Sequence, residues 1–134
     1  MKTYLDVGVL ISAFRADGDL GQRAMQVLDD QNREFVSSVF ARLEILPKAI
    51  YHQNTQKTQF YEAFFDSVHF WADDVEKLVQ DSYQISCQYG LAALDALHVA
   101  AALSVGAEEL ITTERRTKPM HRVSGIRVTS ILDN

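Results

Sequence analysis

Asp6 and Asp95 are acids in places where acids are costly. Asp6 interrupts Thr3-Tyr-Leu-Asp-Val-Gly-Val-Leu-Ile11. Asp95 interrupts Leu91-Ala-Ala-Leu-Asp-Ala-Leu-His-Val-Ala-Ala-Ala-Leu103, so apolar that a helix made from it must be almost entirely enclosed by protein. An ionised carboxylate left desolvated is strongly disfavoured unless it is paired, hydrogen-bonded or bound to a metal. Neither run contains a Lys or Arg that would neutralise its acid. Two such acids, far apart in sequence, point to one shared site and to a divalent cation in preference to an internal salt bridge. Glu44 and Glu114 are the further candidates. Converging carboxylates repel one another, and oxygen-rich acidic clusters are what Mg²⁺ and Mn²⁺ prefer. The chemistry that follows is phosphodiester hydrolysis, in which metal ions activate a water and offset the charge developing on the phosphate.

The elements that must position these acids are legible as alternating strands and helices. Residues 3–11 read as a central parallel strand, since doubly buried strands are continuous apolar runs. Asp6 reaches the ligand-binding edge of such a sheet only if this strand ends near it, and Gly8 allows a turn or close backbone approach there. A helix follows from about Gly21, with Ala24, Val27 and Leu28 on its inner face. Glu34–Ser37 is a second strand, and Ser37 or Ser38 caps a helix from Val39 that Pro47 should kink or divide. Phe60, Phe64 and Phe65 mark another helix, and Val68–Trp71 a third strand. Asp73-Asp-Val-Glu76 resembles a capping box opening a helix that stops at Gly90. Leu91–Val105 forms the next helix, Glu109–Thr112 the fourth strand, and Gly125–Ile131 a last, edge strand. The pattern predicts one domain over residues 1–134, a three-layer α/β/α sandwich around a mainly parallel central sheet.

Composition sets bounds on function. The chain has 134 residues, enough for one domain that buries about two-thirds of its unfolded surface. Its apolar stretches fall short of a membrane span and the N-terminus leads directly into a strand, so a cytoplasmic protein is expected. The single cysteine, Cys87, excludes an internal disulfide and a thiolate zinc cluster, and its helical context suggests a small core residue. A net charge of −5 argues against general attraction to nucleic acid. Against that average, Arg115, Arg116, Lys118, Arg122 and Arg127 crowd one C-terminal segment together with His121. They are either a solvated loop or, given Glu114 beside them, contacts for phosphate. His98 reads as a hydrogen-bonded core histidine. Tyr51, His52, Phe60, Tyr61, Phe64 and Phe65 have helical spacing that favours packing or a dimer surface over a platform for bases.

Four segments in order carry a family resemblance: Tyr4-Leu-Asp6-Val-Gly-Val-Leu-Ile11, Ser38-Val-Phe-Ala-Arg-Leu-Glu44, Leu94-Asp95-Ala-Leu-His-Val-Ala-Ala-Ala-Leu103 and Gly106-Ala-Glu-Glu-Leu-Ile-Thr112-Thr-Glu114. The chain resembles a PIN-domain protein and is similar to the bacterial VapC-type toxin branch. The resemblance implies a metal-dependent endoribonuclease using Mg²⁺ or Mn²⁺. It places Asp6 as the first acid, which contacts metal, Glu44 as the second, Asp95 as the third and Glu114 where a fourth Asp is usual. Metal is expected at Asp6, Asp95 and Glu114, with Thr112 as a supporting hydroxyl. It further implies RNA as substrate and a small antitoxin protein as partner. Arg115, Arg116 and Lys118, which directly follow Glu114, are expected on the RNA backbone, and the aromatic-rich helices between Val39 and Phe65 are expected to form a homodimer, to which the resemblance also points. Two departures stand out. Val7 and Gly8 occupy positions where the family commonly has a hydroxyl residue followed by Asn, Ser or Gly, and Glu114 is longer than Asp by one methylene.

Other readings compete. Asp6 as a strand-end group held by backbone amides, Asp95 as an acid favoured by its helix dipole, and Glu44 on a solvated face need no catalysis. A PIN-fold RNA-binding or scaffold protein with impaired catalysis is the main alternative, favoured by Val7-Gly8. An aspartyl-phosphate enzyme using Asp6 would need a second acid beside the nucleophile and a lysine at a late strand end, and neither is visible.

Overall fold

The computed structural model describes residues 1–132; positions 133 and 134, the last two of the expected domain, lie outside the described residues. The chain runs β1 (Lys2–Leu5), α1 (Val7–Arg15), α2 (Gly18–Asp29), β2 (Glu34–Ser38), α3 (Val39–Tyr51), α4 (Thr55–Asp66) and β3 (Phe70–Ala72). It continues through α5 (Val75–Tyr89), α6 (Ala93–Ser104), β4 (Glu109–Thr112), a short 3₁₀ turn (Pro119–Arg122) and β5 (Arg127–Ser130). Five strands form one sheet in the order β3-β2-β1-β4-β5, and each neighbouring pair is parallel. The expected α/β sandwich is thus the observed one, with β5 at an edge as expected and β3 at the other.

Strand alternation divides the core in two. Leu5, Phe35 and Ile111 face a cluster built by α1, α2, α3 and α4, including Val9, Leu10, Ala24, Ile45, Tyr61 and Phe64. Tyr4, Val36 and Leu110 face the other, built by α5, α6 and the 3₁₀ turn, including Leu78, Val99 and Met120. Tyr61, Phe64 and Phe65 therefore pack inward, whereas Tyr51 is 81% exposed.

The first strand is shorter than its apolar run suggests. It ends at Leu5, and residues 7–11 belong to α1. The Asp6 N–H makes a last sheet bond to the Ile111 carbonyl, after which Asp6 becomes the N-cap of α1. Val7, Val9, Leu10 and Ala13 then fall on one buried helical face. Gly8 leaves room there for Thr113, whose Oγ1 would stand 2.3 Å from a Cβ at this position.

Four smaller expectations also shift. Pro47 does not divide α3, since the donor it lacks would have served the carbonyl of Leu43, on the exposed side of the helix at 71% exposure. The cap of α5 is Asp74, whose carboxylate accepts the Lys77 N–H, so Asp73 and Glu76 do not form the reciprocal box. Cys87 is exposed, because α5 turns Leu78, Ser82, Ile85 and Tyr89 inward and leaves position 87 on the other face. The helix of Asp95 is buried along Ala96 and His98–Ala102, but Leu94 is 43% exposed, so its first turn opens to solvent.

Candidate active site

Asp6 and Glu114 stand at the carboxyl edge of the sheet, one directly after β1 and the other two residues past β4. Asp6 directly follows β1, and its side chain makes no cap bond to its own helix. Oδ2 of Asp6 instead accepts a hydrogen bond from Thr112 Oγ1 at 2.8 Å. Thr112 is the last residue of β4, fully buried, and its hydroxyl also accepts the Glu114 backbone N–H at 3.0 Å. One hydroxyl thus fixes the side chain of Asp6 and the backbone of Glu114. His121 Nε2 donates to the Glu114 carbonyl at 3.1 Å, pinning that residue from its other side.

Asp95 lies in the first turn of α6, where unpaired backbone N–H groups favour an anion. Its carboxyl is nonetheless pushed above the usual carboxylate range. Burial is the largest cause, followed by the charges of Asp6 and Glu114; His98 opposes, and Glu44 adds to the rise. The three acids from the N-cap of α1, from α3 and from the loop after β4 therefore all act electrostatically on the one from α6. Among the described residues no Lys or Arg forms an ion pair with Asp6, Asp95 or Glu114. Nor do any three His, Cys, Asp or Glu side chains among them stand as a ready-made cation cage. The donor chemistry fits a hard cation: the converging groups are carboxylate oxygens, and the histidine beside Glu44 is otherwise engaged.

That histidine is His98, 2% exposed, with Nε2 2.9 Å from Glu44 Oε1 and Nδ1 2.7 Å from the Tyr4 hydroxyl. Two cavities flank the acids. One, of about 240 Å³, is lined by Asp95, Glu114 and Lys118 over a floor that includes Leu91 and Met120. The other, of about 420 Å³, runs from Glu44 past Lys48, His52 and Lys57 over Ile11, Ile45 and Tyr61. Arg115, Arg116 and Lys118 are exposed immediately after Glu114. Arg127, from the same basic run, is at the opposite end of the sheet, paired with Glu109 at 3.3 Å. Sequence reasoning missed Lys48 and Lys57. Lys48 was findable, because it lies four residues after Glu44 on one helix and so on the same face.

The sequence matches the PIN domain family over residues 3–125. The chain belongs to the PIN domain family. No curated protein matches this PIN domain by sequence. Its fold is that of several solved complexes. It is similar to a chain of the VapBC2 complex from Rickettsia felis bound to a promoter DNA fragment, with TM-score 0.72 and 15% identity, over 97% of this chain and 98% of that one. A toxin-antitoxin complex from Klebsiella pneumoniae gives TM-score 0.74 and 20% identity, over 96% and 97% of the two chains. VapBC-1 from nontypeable Haemophilus influenzae gives 0.71 and 18%, over 99% and 100%.

Proposed function

We propose that this PIN domain is a divalent-metal-dependent endoribonuclease and the toxin of a toxin-antitoxin pair. The observation that carries the reading is Asp95, an acid in an apolar helix whose carboxyl is pushed up by burial and by three acids from remote parts of the chain. Folding gathers like charges only where something else is to offset them.

Asp6, Asp95 and Glu114 would hold Mg²⁺ or Mn²⁺. When bound, the ion activates a water and offsets charge on the phosphate. Thr112 keeps Asp6 turned toward the site and away from its own helix end. Glu44, braced by His98, is the acid placed to accept a proton from the attacking water. Arg115, Arg116 and Lys118 hold RNA phosphates on the Asp95 side, and Lys48 and Lys57 on the Glu44 side, so that the strand crosses the acids between two basic walls.

The toxin role is supported by the fold shared with VapBC complexes, and it brings an antitoxin partner. A homodimer through α3 and α4 is supported by Leu43, Ile50 and Tyr51, which are 71%, 55% and 81% exposed. No helix among the described residues is long and apolar enough to cross a membrane; we place the protein in the cytoplasm as a single domain over residues 1–134. The second reading, a PIN-fold RNA-binding or scaffold protein with impaired catalysis, is favoured by the Val7-Gly8 pair, which leaves no polar side chain directly after Asp6. Thr113 Oγ1, in the space beside Gly8, brings a hydroxyl close to that pair and supports the enzyme. Incubating total RNA with the protein and Mg²⁺ or Mn²⁺, beside an Asp6→Asn control, separates them. Cleavage by the parent alone is expected, and RNA binding without cleavage would replace the enzyme with the binding protein.

A further inference from the structure

Glu44 is the end of a chain of buried polar groups. His98 Nε2 meets its Oε1 at 2.9 Å, and His98 Nδ1 meets the Tyr4 hydroxyl at 2.7 Å. The Tyr4 hydroxyl is 2.7 Å from Ser38 Oγ, which accepts the Ala41 backbone N–H at 3.2 Å. Tyr4, Ser38 and His98 are each 2% exposed or less. They come from β1, the end of β2 and α6, and they converge on an acid carried by α3.

Counting hydrogens gives the chain a direction. Ser38 Oγ already accepts from Ala41, so its own proton is free for the Tyr4 oxygen. Tyr4 then donates to His98 Nδ1, and His98 donates from Nε2 to the Glu44 carboxylate. In this arrangement every proton has an acceptor. Run the other way, with a proton on Nδ1, Tyr4 must donate to Ser38, and the Ser38 hydroxyl proton has no partner among the described residues.

We propose that Ser38, Tyr4 and His98 are positioning residues: their one-way hydrogen-bond chain presents His98 Nε2–H to Glu44 and fixes that carboxylate, leaving its second oxygen for the reacting groups. The orientation stands on these contacts alone; its use in RNA cleavage rests on the nuclease reading above.

Two measurements test it, one of which needs no activity. Ring-nitrogen NMR of the full chain in chelator, read in the state where His98 carries one ring proton, is expected to show that proton on Nε2 with Nδ1 bare. That proton on Nδ1 overturns the proposal. Tyr4→Phe keeps the ring and removes the donor. It is expected to move part of the His98 proton to Nδ1 and to lower kcat about tenfold with KM unchanged, the scale of losing an outer-shell partner. His98→Gln, whose amide reaches the Nε2 position, should retain more kcat than His98→Asn, whose amide reaches only that of Nδ1. Equal losses in the two, or a Tyr4→Phe protein with parental kcat, would reduce the chain to packing. If the histidine variants fail to fold, the isosteric Tyr4→Phe and the spectrum decide. A parent that cleaves no RNA removes the nuclease reading, while the ring-nitrogen spectrum still judges the orientation.

Discussion

The sheet has acids at each end of the strand pair β1–β4, and the two ends are built oppositely. At the amino end, Glu109 is 3% exposed and receives Arg33 Nη1 at 2.6 Å, Arg127 at 3.3 Å and the Thr129 hydroxyl. Burial alone would raise its pKa, but the hydrogen bonds from Thr129 and Arg33 and the charges of Arg33 and Arg127 together bring it below the usual range. At the carboxyl end, Asp95 is surrounded by Asp6, Glu114 and Glu44 and moves the other way. An acid that the fold supplies with cations is part of the scaffold. An acid that the fold supplies with more acids needs a cation from outside, and that difference marks the site more sharply than burial does.

Removing one acid from each end breaks the comparison most directly. Asp6→Asn should reduce RNA cleavage by more than about a hundredfold, beyond the range typical of outer-shell losses. Its stability in chelator should equal or exceed the parent's, since one repulsion is gone, and Mn²⁺ should raise its melting temperature less than the parent's. Thermal melts in chelator and in Mn²⁺ check this; equal destabilisation in both would make Asp6 a structural acid. At the other end, Arg33→Met strands Glu109 without its nearest cation and should cost about 3 kcal/mol of stability, read by urea denaturation, with kcat unchanged.

The two ends should also respond to pH with opposite sign. The folded pKa of Asp95 lies above its ordinary value of 3.8, so the folded state binds that proton more tightly than the unfolded chain. Its ionisation therefore removes stability as pH rises from about that value through the folded pKa. Glu109, held below its ordinary value of 4.5, contributes stability that is present above that value and lost as pH falls through the folded pKa. Melts in chelator across the acid range, comparing Asp95→Asn and Glu109→Gln with the parent, should give difference curves of opposite slope. Matching slopes would mean that the two ends are electrostatically alike.

What could be read from the sequence follows from the same contrast. Asp95 stood out because its neighbours along the chain are apolar, a property visible without a structure. Glu109–Thr112 and the stop at Gly90 were visible too, because strand composition and a left-handed cap are local signals. The end of β1 was not. Val7–Ile11 suits a strand as well as a helix, and the choice is made by the sheet bond of Asp6 and the contact of Gly8 with Thr113. Cys87 was misplaced because both faces of α5 carry apolar residues, with Val75, Val79 and Tyr83 exposed. The bracing of Glu44 by His98 joins residues from two helices that no local pattern connects.

Substrate binding tests whether the cations near the acids belong to the site. Replacing Arg115, Arg116 and Lys118 with Ala, or Lys48 and Lys57 with Ala, should each weaken binding of single-stranded RNA to the Asp6→Asn protein. For every phosphate that a substitution leaves without its cation, the salt dependence should flatten by roughly 0.7 in log-log slope. Fluorescence anisotropy across a salt series measures it, and an unchanged slope would assign that wall to ordinary solvated surface.

The smallest effect expected lies at Gly8, where the two ends of the comparison have no counterpart. In a helix interior Gly is worse than Ala by roughly 1 kcal/mol; Gly8 lies in the first turn of α1, so Gly8→Ala ought to stabilise the helix by less than that. Its new Cβ would stand 2.3 Å from Thr113 Oγ1 and 3.3 Å from the Cβ and Cγ2 of the same residue. The Thr113 side chain must turn away, and crowding of this kind costs on the order of 1 kcal/mol or more. The single variant should therefore be neutral or slightly destabilised. In a Thr113→Ala background the hydroxyl and the methyl are gone, and the same substitution should show its helix gain. The double-mutant cycle is thus expected to give a coupling of about 1 kcal/mol. Additive behaviour in denaturant melts would mean that Thr113 does not occupy the space Gly8 leaves.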